Sequence, residues 1–196
     1  MKYLLTTLFV FSLTVSIAQN ASSEIEKTFT QMNQALVDKD FEGMMEYMAE
    51  ELFEAVPKQQ MIDVLGMMMN NPQLEFVLTV PEVLSVGAVE EVEGKHYAIV
   101  ESKGQQKMRF FDESGNPMKM GDSPMVAQTY EQMKAQAGEE NIQYDEESGF
   151  FIITSNQKSI AISEDGSSNW KFLQTDANMK AIVANIVPAK ILEKID

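Results

Sequence analysis

A change of hydrophobic period at Asn70-Asn71-Pro72 limits what this chain can fold into more than any other feature. Upstream of it, apolar residues recur at helical spacing. Ile25, Phe29, Met32 and Leu36 are separated by 4, 3 and 4 residues, one face of a helix, and Ser23 with Glu26 fits a capping box at its start. Asp38-Lys39-Asp40 interrupts the pattern. Asp40 is placed to cap a second helix that sets Phe41, Met44, Met45, Met48 and Leu52 on one face. Pro57 opens a third helix, with Met61, Ile62, Leu65, Met68 and Met69 on its apolar face and Gln59, Asp63, Gly66 and Asn70 on its polar one.

Downstream the side chains alternate. Leu74, Phe76, Leu78 and Val80 are interleaved with Glu75, Val77 and Thr79, the pattern of a half-buried strand. Further strands are predicted over 83–90, 96–102 and 106–111, parted by turn signals at Glu93-Gly94 and Lys103-Gly104. Residues 112–123 read as a loop, and 125–137 as a helix using Val126, Tyr130 and Met133. Strands over 149–155, 158–163 and 170–174 follow. Met179, Ile182, Val183 and Ile186 then make a short helix, and Pro188 opens a last one with Ile191, Leu192 and Ile195. Consecutive strands joined by short turns pair antiparallel, so the expected class is α+β, with N-terminal helices, an antiparallel sheet and short C-terminal helices. No Pro-, Gly- or Ser-rich linker divides residues 19–196, which read as a single domain.

The segment ahead of the first helix reads as an address. Met1-Lys2 gives a positive start, and Leu4 to Ile17 is a 14-residue apolar stretch softened only by Thr and Ser. That is short of the ~20 residues a membrane span needs, and Ser16-Ile17-Ala18 supplies small residues where a signal peptidase reads. Residues 1–18 are therefore expected to be a signal peptide cut before Gln19, leaving no integral span. The chain carries 30 acidic and 15 basic side chains, net -15; losing Lys2 with the signal makes it -16. Such a surface argues against nucleic acid and against anionic lipid. The absence of cysteine excludes disulfides, thiolate metal sites and cysteine nucleophiles. An exported chain without cysteine points to a bacterium, and to the periplasm or the exterior.

Four constellations bear on chemistry. Met44, Met45, Met48, Met61, Met67, Met68 and Met69 crowd the second and third helices, and Met118 flanks Lys119 with Met120. Thioethers can hold Cu(I), but Met on the apolar faces of helices reads first as adaptable core or pocket lining. Glu42, Glu46, Glu50 and Glu54, spaced by 4, form an acidic row if their helix is straight; a kink near Glu50-Glu51 would relieve the repulsion. The acidic turns at 112–115, 145–149 and 164–166 lack the ligand order of a calcium loop and read as hairpin turns. His96 is the sole histidine, at a strand start, and no nucleophile elbow or phosphate-cradling glycine loop accompanies it. Arg109, the only arginine, leaves little scope for recognising phosphate or carboxylate groups.

Three opening helices followed by an antiparallel set resemble the NTF2-like superfamily, over about residues 22–174. The residues that carry the likeness are Phe41 through Met48, Lys58 through Met69, and a late hairpin of Ile160-Ala161-Ile162, Glu164-Asp165-Gly166 and Trp170-Lys171-Phe172-Leu173. The signal peptide and acidity resemble those of secreted proteins of the flavobacterial type. The resemblance implies a curved sheet closed into a cone by the N-terminal helix. The helix over 125–137 is extra to that pattern, and the catalytic Asp/His or Tyr/Asp sets of its enzymes are not evident. The expectation is thus a non-catalytic module without cofactor or metal that binds a small apolar ligand or a protein, with Met45, Met48, Met61, Met68, Asp63, Tyr97 and Tyr130 as pocket candidates. Two rivals stand beside it. One is a lyase or isomerase using Asp63 or Glu75 beside Tyr97 or Tyr130. The other is copper binding through Met.

Overall fold

A computed structural model describes residues 2–176 and 179–195, with side chains described from residue 20 onward, so the predicted signal peptide lies outside the described side chains. The fold is α+β. Helix α1 (Lys2–Val37) is followed by α2 (Phe41–Met45), α3 (Leu52–Ala55) and α4 (Lys58–Met69). The strands are β1 (Leu74–Leu78), β2 (Glu82–Val86), β3 (Glu90–Val92), β4 (Lys95–Phe110), β5 (Ile142–Asp145), β6 (Phe150–Ser163) and β7 (Lys171–Gln174). Helix α5 (Pro124–Ala137) separates β4 from β5, and α6 (Lys180–Ile186) and α7 (Ala189–Leu192) close the chain. Among the described residues no helix is long and apolar enough to cross a membrane.

Two long strands organise the sheet. β4 and β6 pair antiparallel without a register shift from His96↔Ser163 to Met108↔Phe151. The outer edge of β4 carries β1, β2 and β3, and the outer edge of β6 carries β5 and β7, all antiparallel. This corrects two expected breaks. Lys103-Gly104 is not a turn: Gly104 pairs with Ser155 inside the ladder. Likewise 149–155 and 158–163 are one strand, with Asn156 and Gln157 paired to Lys103 and Ser102. Polar residues imitate turns in sequence, but a central strand pairs through its backbone whatever its side chains are. Conversely, the predicted strand 83–90 is split into β2 and β3, and Glu93-Gly94 is the turn that was expected. Both residues have positive φ, 55° and 83°, and they join Val92 to its partner Lys95 as a two-residue hairpin. Strand β5 had no separate sequence signal.

Residues opposite one another in a ladder share a face. One face, here the front, presents Ala98, Val100, Ser102, Gly104, Gln106 and Met108 along β4, matched on β6 by Ala161, Ser159, Gln157, Ser155, Ile153 and Phe151. Helix α1 lies on the front at one end, where Phe29 meets Phe172 edge-to-face at 5.4 Å. That end holds the larger core, with Ile25, Met45, Leu52, Val100, Ile160, Trp170 and Leu173 fully buried. Helix α5 lies on the front at the other end. There Phe151 contacts the rings of Phe110, Tyr130 and Tyr144, and Val126, Ile142 and Ile153 complete a second, smaller core. Helices α6 and α7 cover the back of the first end only. Lys194 pairs with Glu90, and Lys158 reaches the Lys194 carbonyl at 3.3 Å.

The N-terminal helices depart from expectation in two places. Helix α1 runs through Ser23, so the Ser23/Glu26 capping box is not used; the backbone N–H groups a cap would serve already lie inside the helix. The second helix breaks after Met45. Asp40 does cap it, accepting from the Gly43 N–H at 2.9 Å, but residues 46–50 turn instead. Met48 bridges to Phe172, and Leu52 starts α3, so the expected apolar face is buried without a continuous helix. The break also dissolves the acidic row. Glu46 pairs with Lys58, while Glu51, outside the row, pairs with Lys95.

Candidate functional site

Two recesses merit comparison. The larger, about 560 Å³, opens at the first end of the sheet between α3, the start of β4 and the β6–β7 turn. Lys95 lines it, 2.5 Å from Glu51 and 2.9 Å from Glu164. The hydrogen bonds Lys95 donates to both carboxylates push its pKa well up. Burial pushes Glu51 up, but the Lys95 hydrogen bond and charge outweigh it, and its pKa is lowered overall. A lysine held as ammonium can serve neither as nucleophile nor as base, so this ion triad is a latch joining α3, β4 and the turn. The turn is built around Asp165. It accepts from the N–H groups of Ser167 and Ser168 at 2.8 Å and from the Ser168 hydroxyl at 2.6 Å, which hold its pKa far below the usual range. Gly166 has φ 68°, and a Cβ there would lie 2.5 Å from the His96 ring, so only glycine lets the turn close over His96.

The second recess, about 380 Å³, crosses the middle of the front face, between the two cores. Its floor is the polar stretch of the two long strands, with Gly104, Gln106, Ser155 and Gln157, extended by Gln174 of β7. Its walls are Asn33, Leu36 and Val37 of α1 and Leu65, Met68 and Met69 of α4 on one side, and Phe76, Leu78, Thr79 and Pro81 on the other. Among the described residues no Asp, Glu, Lys or Arg lines it, in a chain with 45 such side chains. The sequence reads as it does because Ser, Gly and Gln replace apolar residues where no helix covers the strands.

The pocket candidates scatter across this architecture. Met68, 39% exposed, lines the groove. Met45 and Met48 are buried in the first core, and Met61 packs against it. Tyr97 is buried at the back of the first end, lining a smaller recess that it shares with Glu51 and Lys95; burial raises its pKa. Tyr130 belongs to the second core. Asp63 is exposed and accepts from Gln59 at 2.9 Å. Glu75 pairs with Arg109 at 2.7 Å, and Arg109 also lies over the rings of Phe111 and Phe150. Because Glu75 faces Arg109, it sits 12 positions along β4 from Tyr97, about 40 Å of strand. Tyr130 is at the same end as Glu75 but stacks on Phe151 of the front, whereas Glu75 pairs with Arg109 on the back, so the carboxylate–tyrosine sets that acid–base chemistry would use are not brought together. The crowded methionines are also dispersed: Met44, Met45, Met48 and Met69 are buried in or beside the first core, Met118 and Met120 pack on the second, and Met67 is 74% exposed. Among the described residues no group of three or more His, Asp or Glu side chains is disposed to hold a metal ion.

Sequence reasoning missed the groove. Its signal is the run Ser102, Gly104, Gln106 at alternate positions inside an otherwise apolar strand face, which the turn-like pair Lys103-Gly104 conceals. No protein-family model and no curated protein matches the chain.

Proposed function

We propose that this chain is an exported, non-catalytic binding module that holds a small, largely apolar ligand in the groove on the front of its sheet. The observation that carries the reading is a recess of 380 Å³, within the ~300–1,000 Å³ of small-molecule sites, with apolar walls and a few polar groups on its floor. The larger cleft is the poorer candidate, because Lys95, Glu51 and Glu164 already satisfy one another and Asp165 is satisfied by Ser167 and Ser168. An NTF2-like architecture is part of the proposal. Helices ahead of an antiparallel sheet, with α1 laid across its front, support it; α5 on the same face is the departure. Export, to a bacterial periplasm or exterior, rests on the residues 1–18 pattern and the lack of cysteine.

The test is titration with N-phenyl-1-naphthylamine, a neutral apolar fluorophore, against the purified protein and Gly104→Phe. A Cβ at Gly104 meets only Pro81, at an ordinary 3.7 Å, and Gly104 lines the floor, so this is the position at which an added side chain is expected to block the groove. Saturable one-site binding that the substitution abolishes is expected. No saturable binding, or equal binding by both proteins, rules the groove out.

A second reading, contact with a protein, is favoured by Val64 and Met67 on α4, which are 55% and 74% exposed beside the groove wall.

A further inference from the structure

We infer that the groove selects uncharged amphiphiles, ligands with an apolar chain and a neutral hydroxyl or amide head. This rests on the ligand-binding reading above and names the class of ligand. The chain carries net -15, yet among the described residues no Asp, Glu, Lys or Arg side chain lines the groove. An anionic head would enter a molecule of like charge and find no cation inside. Lys39 stands behind the wall, donating to the Met69 carbonyl at 3.2 Å, and is not among the lining residues. A cationic head would be drawn to the acidic surface but would find no carboxylate in the groove to replace its water. Either ion would be desolvated without a partner, which costs far more than moving a hydroxyl or amide to a site that hydrogen-bonds it.

The floor chemistry agrees. Gln106, Gln157 and Gln174 offer carboxamides, which donate and accept at once and so complement a neutral hydroxyl or amide. Next to Gly104, on the same face and opposite Gln157, Ser102 is 1% exposed and its hydroxyl has no partner in the protein. A buried unpartnered hydroxyl costs stability. Ser102 is not among the lining residues, and Pro81 packs beside Gly104, so this hydroxyl marks the polar character of the strand centre and is not itself a contact of the ligand. The walls suit the chain: Met68 and Met69 are flexible thioethers that adapt to irregular apolar shapes.

The experiment is displacement of bound N-phenyl-1-naphthylamine from the purified protein by decan-1-ol, decanamide, decanoate and decyltrimethylammonium, each below its micelle threshold. The neutral pair is expected to displace the probe at least about tenfold more strongly than either ion, and the preference is expected to persist at high salt, which screens the surface charge but supplies no partner for an ion inside the groove. Gln157→Lys, at an exposed position on the floor, is expected to turn the preference towards decanoate. Equal displacement by decanol and decanoate overturns the selectivity and leaves the binding reading standing. Failure of the probe itself to bind overturns both. If Gln157→Lys binds the probe but leaves the order of the four ligands unchanged, charge in the groove is not the selector and the inference falls.

Discussion

The same pair of strands is buried differently at its two ends. At the α1 end the sheet is covered twice, by α1 and α2 in front and by α6 and α7 behind, so Tyr97, Ala98, Ile160, Ala161 and Ile162 are buried in succession on both faces. At the α5 end only the front is covered. The back exposes Val77 at 38% and carries Arg109 spread over Phe111 and Phe150. The sequence follows this. Ile160-Ala161-Ile162 is a continuous apolar run, whereas Lys107-Met108-Arg109-Phe110 alternates. Between the ends, where the end of α1 walls the strands without covering them, the front turns polar and a groove opens. A long hairpin thus carries two cores and leaves a recess where they fail to meet.

The cores also differ in how burial is distributed. The first spreads over many aliphatic side chains, whereas the second is gathered around one ring, since Phe151 touches Phe110, Tyr130 and Tyr144. Phe151→Ala is therefore expected to cost about 5 kcal/mol, and Phe172→Ala, whose ring has one aromatic partner, about 3 kcal/mol. Urea unfolding gives both values, with Phe151→Leu as a milder variant if the alanine protein does not fold. Because β4 and β6 run through both cores, loss of far-ultraviolet dichroism and the fluorescence change of Trp170, the only tryptophan, should coincide. A Phe151→Ala cost below that of Phe172→Ala would break the contrast, and separate transitions would show that the ends fold independently.

The two ends were not equally legible in the sequence. Helical spacing located α4 and α5, and Ser123 and Gly138 stand at the ends of α5 as cap residues should. The class followed from the change of period. Yet the polar centre of the long strands imitates a turn at Lys103-Gly104 and a strand break at 156–157, because local composition does not record that a partner strand lies alongside. The broken second helix was missed for the opposite reason. Met44, Met45, Met48 and Leu52 keep a helical period, but the backbone of 47–49 leaves the helix to pair with β7, as the Ala49 N–H to Phe172 carbonyl bond of 3.2 Å records. Tertiary pairing overrode local preference in both places, and the groove arises at one of them.

Two glycines sharpen the contrast with opposite signs. At the doubly covered end Gly166→Ala combines a left-handed φ of 68° with contact against the His96 ring, and is expected to destabilise by about 1–3 kcal/mol. In the uncovered centre Gly104 has an ordinary strand conformation and room for a Cβ, so Gly104→Ala should stabilise by about 0.4–1 kcal/mol through the unfolded chain. Thermal unfolding of the two variants reads both signs. A destabilised Gly104→Ala would mean that the centre of the sheet is packed more tightly than the open groove allows.

The smallest effect concerns acid. Each end has a turn built on an aspartate whose pKa is lowered by hydrogen bonds: Asp165 at the first end, and Asp145 at the second, which accepts from the N–H groups of Glu147 and Ser148 at 3.0 and 3.3 Å. A lowered pKa in the folded protein means that the unfolded chain binds protons first as pH falls. The stabilisation is therefore complete above the unfolded value of about 3.8 and is lost as pH drops through the folded one. Asp165 receives more and shorter bonds than Asp145, so Asp165→Asn should lower the urea midpoint more at pH 7 than Asp145→Asn, with both gaps narrowing below pH 3.8. Both carboxylates are open to solvent, so screening keeps the gaps small. An Asp165→Asn gap that does not change between pH 7 and pH 3 would assign the turn's stability to its glycine and backbone geometry instead of to the ionised carboxylate.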